Sequence, residues 1–466
     1  MQLWNSKALL LAAAVIDAAS AHTTFTNFFI DQAPQGDGTC VRMSNDLQHS
    51  TAPVRPPTSS NMACGINGEK GVARICPAKA GSSMTMNFRQ WPDGSQPGAL
   101  DKSHMGPCAV YMKKVDNSAA DNNAAGPGWF KIFEDNYDNS TAQFCTSKIM
   151  ANDGKLSIKL PTDLAGGYYF VRPELLALHD ADKNPPDPQF YVGCAQIFLD
   201  STGSAVPKDT VSIPGHVSMQ DPAMTFNVWS LPKQFSFPRF GPPTYQSGSS
   251  KRDIESRATE SKQTFGLKPA NCIMENDNWC GLTLPSYSDE KGCWASTTNC
   301  WDQSKQCYDS AGPVGSKNCK NWESYCKSLQ DGCKSGNFNG PPSASSFMPA
   351  PPSRLAGTGN VAASSAETDG QSGDYAKGTA EPAPSTASPS GDNKSAQDGS
   401  VDTCGSNGGL KCATGYCCSH AGYCGTSQDY CGAGCQSGFG KCSGSSKHKR
   451  AHILGRAHAH FQDWKA

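Results

Sequence analysis

The sequence predicts a mainly β protein: an antiparallel β-sandwich over residues 22–248, then a disulfide-linked helical hairpin and a small cysteine-rich module. Three observations carry this expectation. The apolar runs of the first 248 residues are short and bounded by turn residues, as strands are. Gly (46) and Pro (32) make up about a sixth of the 466 residues and charged residues only 17%, which suits strands, turns and linkers better than helical bundles. The 22 cysteines fall into even groups: Cys40, Cys64, Cys76, Cys108, Cys145 and Cys194, then eight in 272–333 and eight in 404–442. Even counts in each block imply self-contained disulfide frameworks.

Composition also excludes function classes. Lys plus Arg is 40 against 41 Asp plus Glu, a net charge of -1. That balance offers no basic footprint for nucleic acid and no polybasic patch for a membrane surface. So many cysteines argue against a reducing cytosol. At the N-terminus, Lys7 precedes an apolar run from Ala8 to Ile16, and Ala19-Ser20-Ala21 supplies a small-residue cleavage site. The run is too short to span a bilayer, and no later stretch reaches about 18 apolar residues. Residues 1–21 are therefore expected to be a signal peptide, and the mature chain to be secreted, extracellular and to begin at His22.

Within 22–248 the expected strands are Thr23 to Ile30, Ser83 to Phe88, Cys108 to Val115, Lys155 to Leu160, Gly167 to Arg172 and Phe190 to Phe198. Asn152-Asp-Gly and Leu164-Ala-Gly-Gly read as turns, and Glu174 to Asp180 as a helical turn. Residues 249–270 read as a linker with a basic Lys251-Arg252 pair. In 271–334, Cys293, Cys300 and Cys307 recur every seven residues, as do Cys319, Cys326 and Cys333. Seven residues are close to two helical turns, so each trio lies on one helix face. Two antiparallel helices then pair Cys307 with Cys319, Cys300 with Cys326 and Cys293 with Cys333, and Cys272 with Cys280 closes the preceding loop. The stripe Trp294, Trp301 and Tyr308 is expected to pack rather than to bind sugar. Residues 335–400, rich in Ser, Ala, Pro and Gly, cannot bury enough surface to offset ordering entropy and read as a disordered linker. Asn139-Ser-Thr and Asn393-Lys-Ser are glycosylation sequons. The tail 444–466, with His452, His458 and His460, reads as a solvated segment.

A chain that begins with histidine carries a distinctive donor set. Its α-amine, with an ordinary pKa near 8, and its imidazole can chelate one metal. A third nitrogen from a distant histidine completes a planar site that favours copper(II). His104, just ahead of an expected strand, is the candidate. Alone, His22 is a terminal residue and His104 a loop residue; the combination is what points to a metal.

Several segments then resemble one family: His22-Thr-Thr-Phe, Ser103-His-Met-Gly-Pro, Asp153-Gly-Lys-Leu-Ser-Ile-Lys-Leu-Pro, Gly167-Tyr-Tyr-Phe-Val-Arg-Pro-Glu-Leu-Leu-Ala-Leu-His179, Gln189-Phe-Tyr-Val-Gly-Cys-Ala-Gln-Ile and Thr210-Val-Ser-Ile-Pro-Gly. In order and at sensible spacing, they are similar to the fungal copper-dependent lytic polysaccharide monooxygenases of auxiliary activity family nine, formerly glycoside hydrolase family sixty-one. The resemblance implies an immunoglobulin/fibronectin-like sandwich with His22 and His104 as equatorial copper ligands and Tyr191 as the axial oxygen. His179 and Gln189 become the catalytic pair that holds the oxygen co-substrate, and Cys64 pairs with Cys194. It also implies dioxygen or hydrogen peroxide as co-substrate, and an external electron donor such as a small reductant or cellobiose dehydrogenase. The protein is expected to act as a monomer, oxidising cellulose or a related β-glucan at C1 and/or C4. Cys40, Cys76, Cys108 and Cys145 need two bridges whose pairing stays open. The loop 32–62 has no counterpart and is a candidate for shaping the substrate face, as are the aromatics Phe240 and Tyr245, which can equally pack in the core.

The block 401–443 has a Cys417-Cys418-Ser419 pair, then Tyr423-Cys424-Gly and Tyr430-Cys431-Gly. This resembles a hevein-type chitin-binding module of carbohydrate-binding family eighteen, which is too short for a core and depends on its bridges. The resemblance gives Ser419 a hydrogen bond to an N-acetyl group, with Tyr423 and Tyr430 stacking on sugar rings. Ala421 stands where many relatives carry another aromatic. Two other classes compete with a copper monooxygenase. A glycoside hydrolase needs two carboxylates at a defined separation, and glutamates in 22–248 are few (Glu69, Glu134, Glu174). A non-catalytic chitin-binding wall protein would bind without a copper signal, and chitin is the runner-up substrate.

Overall fold

A computed structural model describes residues 22–44, 46–47, 49–117, 124–248, 262–350, 353–355 and parts of 404–442. The expected signal peptide, Asn393 and the histidine-bearing tail lie outside the described residues. The chain divides into two compact units, 1–370 and 371–466.

Two sheets form the first unit's sandwich. The smaller has four strands, β1 (Thr24–Ile30), β2 (Ala33–Pro34), β5 (Ser83–Arg89) and β10 (Lys155–Lys159), in the order β10-β5-β1-β2. The larger runs β14 (Val211–Ile213), β7 (Gly126–Asp135), β6 (Cys108–Val115), β11 (Ala165–Ala177), β13 (Cys194–Thr202) and β3 (Val41–Arg42). Beside this path β12 (Gln189–Val192) pairs with β11, and β4 (Cys76–Lys79) pairs in parallel with β13. Phe28, Met86, Met112, Val171 and Ile197 fill the space between the sheets. The larger sheet buries its other face as well, under the segment 213–240, with Trp129, Phe170 and Phe240. Phe240 is thus a core residue, and the Tyr245 phenol donates to Asp163 (3.0 Å) while its ring packs against the inter-sheet core. Neither aromatic belongs to a flat face.

The expected helical turn at Glu174 to Asp180 is instead strand as far as Ala177. β11 continues to Ala177, held by β6 on one side (Leu175 opposite Cys108) and β12 on the other (Ala177 opposite Gln189). Pairing on both edges overrides the local helix preference of Glu-Leu-Leu-Ala-Leu. A short ribbon, β8 (Tyr137–Asp138) with β9 (Gln143–Phe144), leads into a helix of about two turns, α1 (Cys145–Ala151). Three bridges staple this part: Cys40 to Cys76, Cys64 to Cys194 and Cys108 to Cys145. The bridge from Cys64 to Cys194 closes the longest loop, 130 residues, and so restricts the unfolded chain most.

The cysteine heptads fold as their spacing requires. Helices α2 (Glu290–Ser310) and α3 (Lys317–Lys334) are antiparallel and joined by Cys293–Cys333, Cys300–Cys326 and Cys307–Cys319. Asp289 caps α2 by accepting from the Gly292 amide (2.7 Å). Strands β15 (Cys272–Asn276) and β16 (Trp279–Leu282), bridged by Cys272–Cys280, cover one side of the pair; Trp279 meets Trp322 edge to face at 5.4 Å.

This hairpin is not a free module. Residues 263–266, expected within a linker, lie along the sandwich: Gln263 donates to the Ile75 carbonyl (2.9 Å), and the Thr264 and Phe265 amides donate to the Tyr168 hydroxyl (2.9 and 3.0 Å). The tip of β15–β16 locks onto the loop before β3. There Cys40 N donates to Asn278 Oδ1 (2.9 Å), Asn278 Nδ2 to the Gly38 carbonyl (3.0 Å) and Thr39 Oγ1 to the Asp277 carbonyl (2.8 Å). Arg74 and Lys268 both pair with Glu275. The first part of the expected 335–400 linker also folds back on the helices, where the Tyr325 hydroxyl donates to the Pro342 carbonyl (3.0 Å) and Phe347 lies 5.6 Å from Tyr325.

Asp277 makes this contact sensitive to pH. Its Oδ2 accepts from the Gly312 amide (2.7 Å), its Oδ1 is buried without a partner, and its φ is +52°. Burial pushes the carboxyl up to about 7 against the pull of the Gly312 amide, with the Asp37 charge adding to the rise. The protonated form therefore belongs to the folded state. Its stabilising contribution is complete below the unfolded pKa near 4 and is lost as pH rises through about 7. Asp277→Asn, which tolerates the positive φ, should flatten the fall in melting temperature between pH 4 and 7. An unchanged slope in thermal unfolding would contradict this.

In the second unit, Cys404–Cys418, Cys412–Cys424, Cys417–Cys431 and Cys435–Cys442 staple a minimal ribbon of β17 (Cys417–Cys418) and β18 (Cys424–Gly425). Ser419, Tyr423 and Tyr430 lie outside the described residues.

Candidate metal centre

Strand alternation builds one wall of the site. Gln189 and Tyr191 are two apart on β12, so their side chains leave the same face, and both are buried. Phe190, between them, enters the opposite core. The Tyr191 hydroxyl donates to Gln189 Oε1 (2.7 Å) and lies 3.0 Å from His104 Nε2.

The loop before β6 delivers His104. It is pressed against the end of β11, where the Leu178 amide donates to the Met105 carbonyl (2.9 Å) and the Leu176 amide to the Pro107 carbonyl (3.0 Å). A Cβ on Gly106 would sit 1.8 Å from the Leu176 carbonyl oxygen, so only glycine allows this approach. The Gly106 amide also donates to Thr146 Oγ1 (2.9 Å) on α1.

A relay sets the tautomer of His104. Ser103 Oγ donates to Asp101 Oδ1 (2.6 Å), which also accepts from the Ser103 amide (2.9 Å). Ser103 has one hydroxyl proton and gives it to the carboxylate. Its oxygen is then an acceptor for Nδ1–H of His104, 3.2 Å away. With the proton on Nδ1, the Nε2 lone pair and the oxygen of Tyr191, whose own proton goes to Gln189, face each other at 3.0 Å with no proton between them, an arrangement that a metal would relieve. Ser103 and Asp101 thus orient the His104 ring in the way outer partners orient ligating rings at metal sites.

His22 and His179 complete the cluster. The His104 and His179 rings stack at 4.2 Å, the His104 and Tyr191 rings lie 5.5 Å apart, and His22 lies 6.2 Å from Tyr191. Burial lowers all three imidazole pKa values. For His104 it does so to about 4, with the neighbouring His179 adding to the fall and Asp101 opposing it. For His22, burial is followed by Arg55 and His179; for His179, burial outweighs Asp180. All three rings are neutral at pH 7, the form that ligates. His179 Nδ1 is buried without a hydrogen-bond partner. Burial also raises the Tyr191 pKa, so the phenol keeps its proton. The donor set is imidazole nitrogen with one phenol, which suits copper, zinc, iron or nickel rather than calcium or magnesium.

The structure thus brings His22, His104, His179, Gln189 and Tyr191 together at one end of the sandwich. The cluster also has neighbours that the sequence did not single out. Trp229, 57% exposed, donates from Nε1 to the His179 carbonyl (3.0 Å), which places a large exposed ring beside the cluster. Arg55 pairs with Asp187 (2.8 Å), and Val54 bridges to Phe190, so the loop of unknown role in 32–62 forms part of the rim. Of the three glutamates in 22–248, Glu174 pairs with Arg172 (2.6 Å) and Glu134 with Lys131. Asn139 is exposed, and its carboxamide is bonded to the Phe235 backbone.

Comparison with known proteins gives the family. Residues 22–237 match Auxiliary Activity family 9 (formerly GH61), and residues 403–442 match the chitin recognition protein family. The chain is 50% identical over 347 residues to AA9 family lytic polysaccharide monooxygenase C of Aspergillus tamarii, covering 74% of this chain and 93% of that protein. It is 45% identical over 434 residues to AA9 family lytic polysaccharide monooxygenase H of Botryotinia fuckeliana, covering 91% of this chain and 96% of that one. The solved structure named CvAA9A is 28% identical, with a TM-score of 0.44, over 48% of this chain and 98% of its own. With that identity and coverage to two relatives, the chain belongs to the AA9 family of lytic polysaccharide monooxygenases, and it carries a C-terminal chitin-recognition module.

Proposed function

We propose that this chain is a secreted enzyme that cleaves cellulose or a related β-1,4-glucan by oxidation at C1 and/or C4, with one copper ion held by the His22 amine and ring, the His104 ring and the Tyr191 phenol. The observation that carries the reading is the cluster of neutral imidazoles around a protonated phenol, with one nitrogen of His104 fixed by Ser103 and Asp101. Once bound, copper supplies the one-electron chemistry that activates dioxygen or hydrogen peroxide. An external donor, a small reductant or cellobiose dehydrogenase, provides the electrons, and the protein acts as a monomer.

The chain's own residues then have separate tasks. Gln189 Oε1 accepts from Tyr191 and holds the phenol in place. The partnerless Nδ1 of His179 supplies a hydrogen-bonding group for the oxygen co-substrate, and Gln189 lends its amide to the same task. Trp229 offers an exposed ring on which a pyranose can stack next to the site. The Arg55–Asp187 pair gives further hydroxyl-binding groups at the rim. A polymer surface meets these groups without entering a cleft.

One observation favours a second reading, chitin as the oxidised polymer: the match of 403–442 to chitin-recognition proteins. We assign chitin to that module, through Ser419, Tyr423 and Tyr430, and cellulose to the metal centre. The long chain between the two units lets one polymer be held while another is attacked. Mass spectrometry of products from cellulose and from chitin, with and without reductant, separates the readings. Reductant-dependent oxidised cello-oligosaccharides are expected; oxidised chito-oligosaccharides with none from cellulose would overturn the substrate assignment.

A further inference from the structure

The aromatic stripe on α2 has a different fate from the packing its sequence suggests. Trp294 is 37% and Tyr308 38% exposed, while Trp301, between them, is half-buried against the helical core. All three follow a bridged cysteine by one residue, so they stand about 100° around the helix from the seam that faces α3. β15 and β16 cover another side: the Leu282 amide donates to Gln303 Oε1 (2.7 Å), and Trp279 packs on Trp322. The aromatic row is left open. Its far edge is finished by polar groups of α3, where the Tyr308 hydroxyl donates to Glu323 Oε2 (2.8 Å) and Glu323 pairs with Lys327 (2.7 Å).

The spacing is informative. Residues seven apart on an α-helix rise about 10.5 Å and drift only about 20° around the axis. The row is therefore nearly straight, about 21 Å from Trp294 to Tyr308. In an extended β-1,4-linked glucan every second pyranose turns the same apolar C–H face outward, and that disaccharide repeat is close to the rise between successive rings of the row. Two exposed aromatics held two such repeats apart by three disulfides form a preorganised surface, which binds at a low ordering cost.

We infer that the open face of α2, with Trp294, Trp301 and Tyr308, is a second polysaccharide-binding surface, and that its occupant is a chain on the surface of cellulose. Glu323 and Lys327 supply hydroxyl-binding groups beside the rings. The inference rests on the β-1,4-glucan reading of the substrate but not on the metal centre. Chitin is assigned to the C-terminal unit, so the two surfaces hold different polymers.

The test measures depletion of the full, metal-free chain from solution by crystalline cellulose, with soluble chito-oligosaccharide in excess to occupy the C-terminal module. Without metal, failure of the copper assignment cannot alter the result. Trp294→Ala should weaken binding about fivefold and the Trp294→Ala/Tyr308→Ala pair tenfold or more, the range for truncating an aromatic anchor. Trp294→Tyr should retain most of the affinity. Helical circular dichroism and melting temperature must stay unchanged, which separates lost contact from lost fold. Equal binding by the double variant would overturn the proposal. So would a double variant that keeps its cellulose affinity but, with the competitor omitted, loses chitin affinity.

Discussion

A chain that retains Ala21 ahead of His22 is expected to bind copper(II) more than about a hundredfold more weakly than the chain that begins at His22. Losing an outer partner of a ligand already costs about 10–100-fold in metal affinity, and here a ligand itself is lost. The extra residue converts the free amine, basic with a pKa near 8, into an amide nitrogen with no available lone pair. The His22 ring remains neutral because of burial, then Arg55 and His179, so it can still bind, but no longer as part of a chelate. Only the amine changes, while His104, Tyr191 and Gln189 keep their hydrogen bonds. Competition with a chromophoric chelator measures the difference on protein whose N-terminus has been sequenced. Equal affinity in the two forms would contradict the chelate.

The second large effect is on stability. Arg172 and Glu174 are both fully buried; Arg172 Nη2 lies 2.6 Å from Glu174 Oε2, which also faces His216 Nε2 at 2.9 Å. Arg172 Nε donates to the Met62 carbonyl (2.9 Å), tying the loop that carries Cys64 to the sheet. Burial alone would raise the Glu174 pKa, but Arg172 and His216 win and hold it at about 2. A depressed carboxyl stabilises the fold fully above its unfolded pKa near 4.5 and loses that contribution as pH falls toward about 2. Glu174→Gln leaves a buried guanidinium without its counter-charge and should cost about 3–5 kcal/mol, read as a lower denaturant midpoint. Arg172→Met combined with Glu174→Leu should cost less than Glu174→Gln alone, since it leaves no charge unpaired. A cost below about 1 kcal/mol for Glu174→Gln would remove the network from the account of stability.

How far each part was legible follows from where its information lies. The hairpin bridges could be read because heptad cysteines fix a helix face locally. Its docking could not, since Asn278 meets Gly38 and Cys40 across some 240 residues of chain. β7 gave no strand signal: Gly126-Pro-Gly opens it, the run Trp129 to Phe133 is buried on both faces without alternation, and Lys131 stands buried in its middle beside Glu134. At the site, the quoted motifs carried His22, His104, His179, Gln189 and Tyr191. The tautomer of His104 depended on the geometry of Ser103 and Asp101. Trp229 lies in an irregular segment with no periodicity to mark it, and its place beside the cluster emerges only from its bond to the His179 carbonyl.

The central claim is that His22 and His104 together bind one copper. Electron paramagnetic resonance of the full chain beginning at His22, loaded with one equivalent of copper(II), tests it most directly. The account predicts hyperfine coupling to three nitrogens, falling to two in His104→Ala. The same spectrum from His104→Ala as from the parent chain would contradict it.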